Sequence, residues 1–180
     1  RALFEGLEGQ MAEAGVAIAA SRLDAMHRLM TLIERTRQAR GEDAPFPYAL
    51  IALEGRLEEA LASRSATEVE DEFRRILSEG RERDRAAART LEGPHLSDLI
   101  VIHGPKNAPA EQCSSGEQKA LLVGLILAKA ELIKALEGIA PLVLLDEVAA
   151  HLDGARREAL FSQILALTCR AWLTGPNCDL

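Results

Sequence analysis

Four consecutive aliphatic residues, Leu142 to Leu145, run directly into two carboxylates, Asp146 and Glu147. A strand with no polar residue at alternate positions has no face fit for water, so the run predicts a parallel strand covered on both sides. The Gly138–Pro141 turn precedes it, an apolar helix is expected at about 117–136 and another at about 154–167, and Ala171–Thr174 reads as a further strand. With Leu99–His103 as an earlier strand candidate, the order is β-α-β-α-β, which predicts an α/β layered fold.

Three local patterns in this region carry chemistry. Asp146 and Glu147 fall at the carboxyl end of a central strand, where open α/β sheets place ligands. In a nucleotide hydrolase the first acid holds Mg²⁺ and the second orients or deprotonates the attacking water; the plainer reading is a strand ending in a solvated turn. Cys113-Ser114-Ser115-Gly116-Glu117-Gln118-Lys119 places small residues and a hydroxyl directly before an apolar helix. Its first amides and dipole suit an anion, while Ser114 and Glu117 equally have the spacing of a capping box. Asp153 has the position of an N-cap for the helix beginning at Gly154. Lys106, in the polar loop before Ser114, is either a phosphate-side cation or an exposed turn lysine.

The first ninety residues read as mainly helical. Leu7, Met11, Ala14, Ile18, Ala25, Leu29 and Leu32 repeat at helical spacing and predict one apolar face. Gly15 interrupts it at a cost of about 1 kcal/mol relative to alanine, which suggests a short break. Pro45 and Pro47 forbid continuation. Tyr48–Leu53 is a short strand candidate, a helix follows at about 54–62, and Ser65 or Thr67 caps another that runs to about Thr90. On that helix Arg74, Arg81, Arg85 and Arg89 recur at helical spacing. With Glu82 and Asp84 nearby, the stripe is either a solvated face laced with ion pairs or a surface that tracks nucleic-acid phosphates.

Composition narrows the function classes. The net charge of −7, from 28 acidic and 21 basic side chains over 180 residues, argues against a small, uniformly basic nucleic-acid module but leaves room for a local patch. Aromatics make up 3% of the chain, too few for stacked-base platforms. Cys113, Cys169 and Cys178 have no zinc spacing and suggest a reduced, cytoplasmic setting. The most apolar run, Leu121–Ala128, falls well short of the roughly 20 residues that span a bilayer, so no membrane association is expected. His95 and His151 read as structural hydrogen-bonding residues.

Taken in order, Leu91-Glu92-Gly93-Pro94-His95, Glu111 to Leu122, Leu144 to Asp153 and Trp172-Leu173-Thr174-Gly175 resemble the distal half of an ABC-type ATPase head. The branch is the one shared by chromosome-maintenance and double-strand-break-repair ATPases, and within it the chain is most similar to the RecF family. The resemblance implies a mainly helical, lobe II-like arm over 1–90 and the distal part of the head over 91–180, with signature, Walker B-like and D-loop-like segments. It implies that Ser114, Ser115 and Gly116 form the signature that meets ATP bound to the other protomer. Asp146 would bind Mg²⁺, Glu147 would be catalytic, and Asp153 would lie in the cross-dimer loop. It further implies an ATP-dependent homodimer on duplex DNA at single-strand gaps or stalled forks, with RecR and RecO as partners.

The chain departs from the family pattern in three places. Ser115 stands where many signatures have a second glycine, Leu96 where a basic residue is expected, and Pro176-Asn177 where threonine and aspartate are usual. No G-x-x-x-x-G-K-[ST] phosphate loop occurs in the 180 residues. The expectation is therefore a carboxy-terminal piece of an ATPase, inactive alone; the alternative is a non-hydrolytic head-like scaffold or dimerisation domain.

Overall fold

The computed structural model describes residues 2–41, 44–148 and 152–174. It opens on a single helix, α1 (Ala2–Arg40). The helix runs unbroken through Gly15, whose place is explained by packing: a Cβ there would stand 2.8 Å from the Phe73 ring. The buried stripe of α1 differs from the one its large apolar residues predict. Ala12, Val16 and Ala19 are buried, whereas Leu7, Met11 and Ile18 are exposed. Small side chains let the neighbouring helix approach closely, and the core follows that approach.

Strand β1 (Ala49–Glu54) confirms the Tyr48–Leu53 candidate to within a residue, and α2 (Arg56–Leu61) follows. Helix α3 (Ala66–Ala87) starts where Ser65 and Glu68 cap one another, the Ser65 N–H donating to Glu68 at 3.0 Å and the Glu68 N–H to Ser65 Oγ at 3.4 Å. It stops at Ala88, which adopts left-handed φ +53°. Arg89 therefore lies beyond the helix instead of continuing its stripe. Ala12, Val16, Ala19, Leu57, Val69, Phe73 and Leu77 form one core.

Strand β2 (Asp98–His103) lies between β1 and β3 (Ala108–Pro109) in a three-stranded sheet, antiparallel to β3. The strands of the expected α/β layered fold thus fall in two sheets. The later strands, β4 (Leu142–Leu145) and β5 (Arg170–Leu173), form a separate parallel pair in register Leu142↔Arg170 to Leu145↔Leu173. Between β3 and β4 runs α4 (Ser115–Glu137), ended by Gly138 at φ +73°. Helix α5 (Gly154–Ala166) crosses from β4 to β5. Lys134 of α4 donates to the carbonyl of Leu167 at 2.9 Å, tying α4 to the end of α5.

The chain divides into two units, Arg1–His27 with Ala52–Ile100 and Arg28–Ile51 with Val101–Leu180. The core of the second is built from Ala120, Val123 and Leu127 of α4, Val143 and Leu145 of β4, and Leu160 and Ile164 of α5. Burying a leucine such as Leu160 is worth about 1.5–3 kcal/mol. This packing holds the end of β4 and the start of α4, which carry the candidates Asp146, Glu147, Ser114, Ser115 and Gly116.

Candidate nucleotide-hydrolysis site

The register of β4 and β5 brings Thr174 beside the acidic pair. The Thr174 N–H donates to the Leu145 carbonyl at 3.0 Å and extends the parallel pairing by one bond. Its hydroxyl donates to Asp146 Oδ1 and accepts from the Glu147 N–H at 3.0 Å. Glu147 itself has φ +52°, a left-handed conformation that an L-residue holds at about 1–2 kcal/mol. Such strain persists where the surroundings over-determine it and concentrates at functional positions. Both carboxylates are exposed. No group of three metal-ligating side chains exists among the described residues.

The start of α4 forms a second cluster. Glu117 accepts from the Ser114 N–H at 3.0 Å and from the Ser114 hydroxyl at 2.9 Å, and Lys106 Nζ meets its other oxygen at 2.5 Å. Bonds from Lys106 and Ser114 hold the Glu117 carboxyl down to about 2, and the same partner raises Lys106. Lys106 is presented by a 3₁₀ turn, Gly104–Lys106, whose last N–H donates to His103 Nδ1 at 3.3 Å. Gln118 donates to the carbonyls of Ala110, Glu111 and Cys113, pinning the loop before the helix. A Cβ at Gly116 would meet nothing within 4 Å, so the first turn is open to an approaching group. A cavity of about 810 Å³ in this unit touches Glu117 and His103 but neither Asp146 nor Glu147.

Asp153 caps α5 as expected, accepting from the Arg156 N–H at 2.9 Å and pairing with the Arg156 side chain at 3.5 Å. His151, Gly175, Pro176, Asn177 and Cys178 lie outside the described residues. His95 bonds the Thr90 carbonyl at 3.0 Å, the structural role expected of it.

The arginines do not share one environment. Arg81 forms a two-pronged pair with Glu8, at 2.5 and 2.6 Å, and lies over the Phe4 ring. That pair lowers Glu8 and raises Arg81. Arg74, Arg85 and Arg89 are exposed. Sequence reasoning missed the roles of Thr174 and Glu117. The Ser-x-x-Glu spacing announced Glu117 as a cap, but nothing local announced its pairing with Lys106. The Thr174 contact requires the β4–β5 register.

No family model matches the chain. Among curated proteins, the DNA replication and repair protein RecF of Mesorhizobium japonicum is 54% identical over 177 residues, covering 98% of this chain and 46% of that protein. RecF of Brucella abortus is 53% identical over 174 residues, covering 97% and 44%, and RecF of Agrobacterium fabrum 50% over 174, covering 97% and 45%. The chain thus spans about half the length of the curated relatives it matches. In fold it resembles a solved structure of the recombination mediator protein RecF with ATP, from the RecFOR pathway. The TM-score is 0.73 at 18% identity, covering 100% of this chain and 46% of that one. A second such structure, RecF-ATPrS, matches equally well.

The parallel β-α-β unit, with two carboxylates at its strand end, thus belongs to a chain with the α/β fold of those solved RecF structures. The sequence relatives then fix the family: the chain belongs to RecF and corresponds to its carboxy-terminal portion.

Proposed function

We propose that this chain is the signature- and acid-bearing portion of an ATP-hydrolysing protein that closes on duplex DNA during repair. The Asp146–Glu147 pair, held by Thr174 at the end of β4, carries this reading. Asp146 would hold Mg²⁺, which when bound would supply charge neutralisation to the phosphate oxygens of the nucleotide. Glu147, next in the chain and exposed, would orient the attacking water and take its proton. Ser114, Ser115 and Gly116 would meet the terminal phosphate of ATP held by a second protomer, through the open first turn of α4. Lys106 is a phosphate-side cation within reach of the same turn, and Asp153 belongs to the loop beside that interface. Exposed Arg74, Arg85 and Arg89 suit backbone phosphates; Arg81 would first have to leave Glu8. The setting is cytoplasmic, at single-strand gaps or stalled forks, with RecR and RecO as partners. The names of the relatives support a role in DNA replication and repair, and the RecFOR pathway named for the solved structure supports the two partners.

The test is Glu147→Gln in the full-length protein. ATP should still bind and bring two protomers together, while turnover falls at least about 100-fold, the loss expected when a general base is removed. Turnover at the normal rate would show that Glu147 does not orient the attacking water, whereas a parent full-length protein without any turnover would favour the non-hydrolytic scaffold.

A further inference from the structure

The hydroxyl of Thr174 has one proton to give and lone pairs to receive, and the geometry uses both on the acidic pair. Donating to Asp146 Oδ1 fixes that carboxylate's rotation and engages one of its two oxygens. Accepting from the Glu147 N–H, at 3.0 Å, holds the peptide that leads into the left-handed Glu147. The Thr174 N–H, bonded to Leu145 at 3.0 Å, fixes the threonine to β4, so it cannot drift from the residues it orients. Asp146 Oδ2 has no hydrogen-bond partner among the described residues and is the oxygen left to face a cation.

We propose that Thr174 is the positioning residue of the hydrolytic pair: one hydroxyl aligns the metal-facing carboxylate of Asp146 and the backbone of the water-orienting Glu147. The inference rests on the reading of those two acids given above. Threonine suits the task because its branched Cβ restricts χ1, so the hydroxyl is aimed before any ligand arrives. Partners that hold a metal ligand in place typically contribute 10–100-fold to metal affinity or activity.

The test uses the full-length protein. Thr174→Val keeps the shape and removes the hydroxyl; Thr174→Ser keeps the hydroxyl. The valine variant should lower kcat for ATP about 10- to 100-fold, with the nucleotide Kd changed by less than roughly threefold, under 1 kcal/mol. Mn²⁺ binding, read by electron paramagnetic resonance with a non-hydrolysable ATP analogue, should weaken about tenfold or more in the valine variant, and the serine variant should restore both readouts. Unchanged kcat and Mn²⁺ affinity in Thr174→Val would overturn the inference. If the valine variant folds poorly, the serine variant decides: a serine variant as impaired as valine shows that the hydroxyl is not responsible. Glu147→Gln separates the two levels. If it leaves turnover intact, the acidic pair is not hydrolytic; if it abolishes turnover while Thr174→Val does not, only the positioning role falls.

Discussion

At the scale of single residues, space and charge decide what stands at several positions. A Cβ on Gly104 would come within 2.0 Å of the Tyr48 ring, whose own carbonyl accepts the Gly104 N–H at 3.0 Å. The ring cannot retreat freely, since Arg37 stacks over it at 5.3 Å. Gly104 also begins the turn that presents Lys106. Gly104→Ala should therefore destabilise the fold by about 1–3 kcal/mol, seen as a lower denaturant midpoint with an unchanged slope. A midpoint equal to that of the parent chain would show that the turn yields at no cost. Asp146, Glu147, Ser114 and Asp153 were legible in the sequence because local patterns place them: an aliphatic run, a capping spacing, an acid before a helix. Glu8 and Arg81 were not, because 73 residues separate partners that only the packing of α1 on α3 brings within 2.6 Å. Gly15 misled for a related reason: its missing side chain makes room for Phe73 and does not mark a break.

At the scale of elements, start signals were read well and faces less well. The caps of α3 and α5 and the β4 strand stand where the sequence puts them. Helix α1 carries two stripes of apolar residues at helical spacing, and periodicity favours the larger side chains. The core takes the smaller ones, Ala12, Val16 and Ala19, because depth of approach between helices is not encoded in spacing. The start of α4 adds an electrostatic prediction. The folded Glu117 carboxyl sits near 2, below its ordinary 4.5, so its contribution to this turn is complete above pH 4.5 and lost as pH falls toward about 2. The Ser114 amide resonance, which reports its bond to Glu117, should titrate with a midpoint near 2, and Glu117→Gln should abolish that step. A midpoint at 4.5 would show that neither Lys106 nor Ser114 holds the carboxylate in solution.

At the scale of the whole molecule, the unexpected feature is the face of β4 and β5 that this chain leaves open. Val143 and Leu145 are buried as the aliphatic run requires, but Leu142 and Leu144 are 57% and 67% exposed. Trp172, the cross-strand partner of Leu144, is 72% exposed. Parallel sheets are found with both faces covered, and leaving three such side chains in water forgoes about 1.5–3 kcal/mol each. The relatives are about twice as long as the segment they share with this chain, so they carry enough further polypeptide to form the second layer. Trp172 is the chain's one tryptophan and therefore reports on this face alone. In the 180-residue chain its fluorescence should be red-shifted and readily quenched by acrylamide. In a polypeptide carrying the remaining length found in the relatives, emission should shift to the blue and quenching should fall severalfold. Equal quenching in the two would mean that this face stays in water and that the additional polypeptide does not cover Leu142, Leu144 and Trp172.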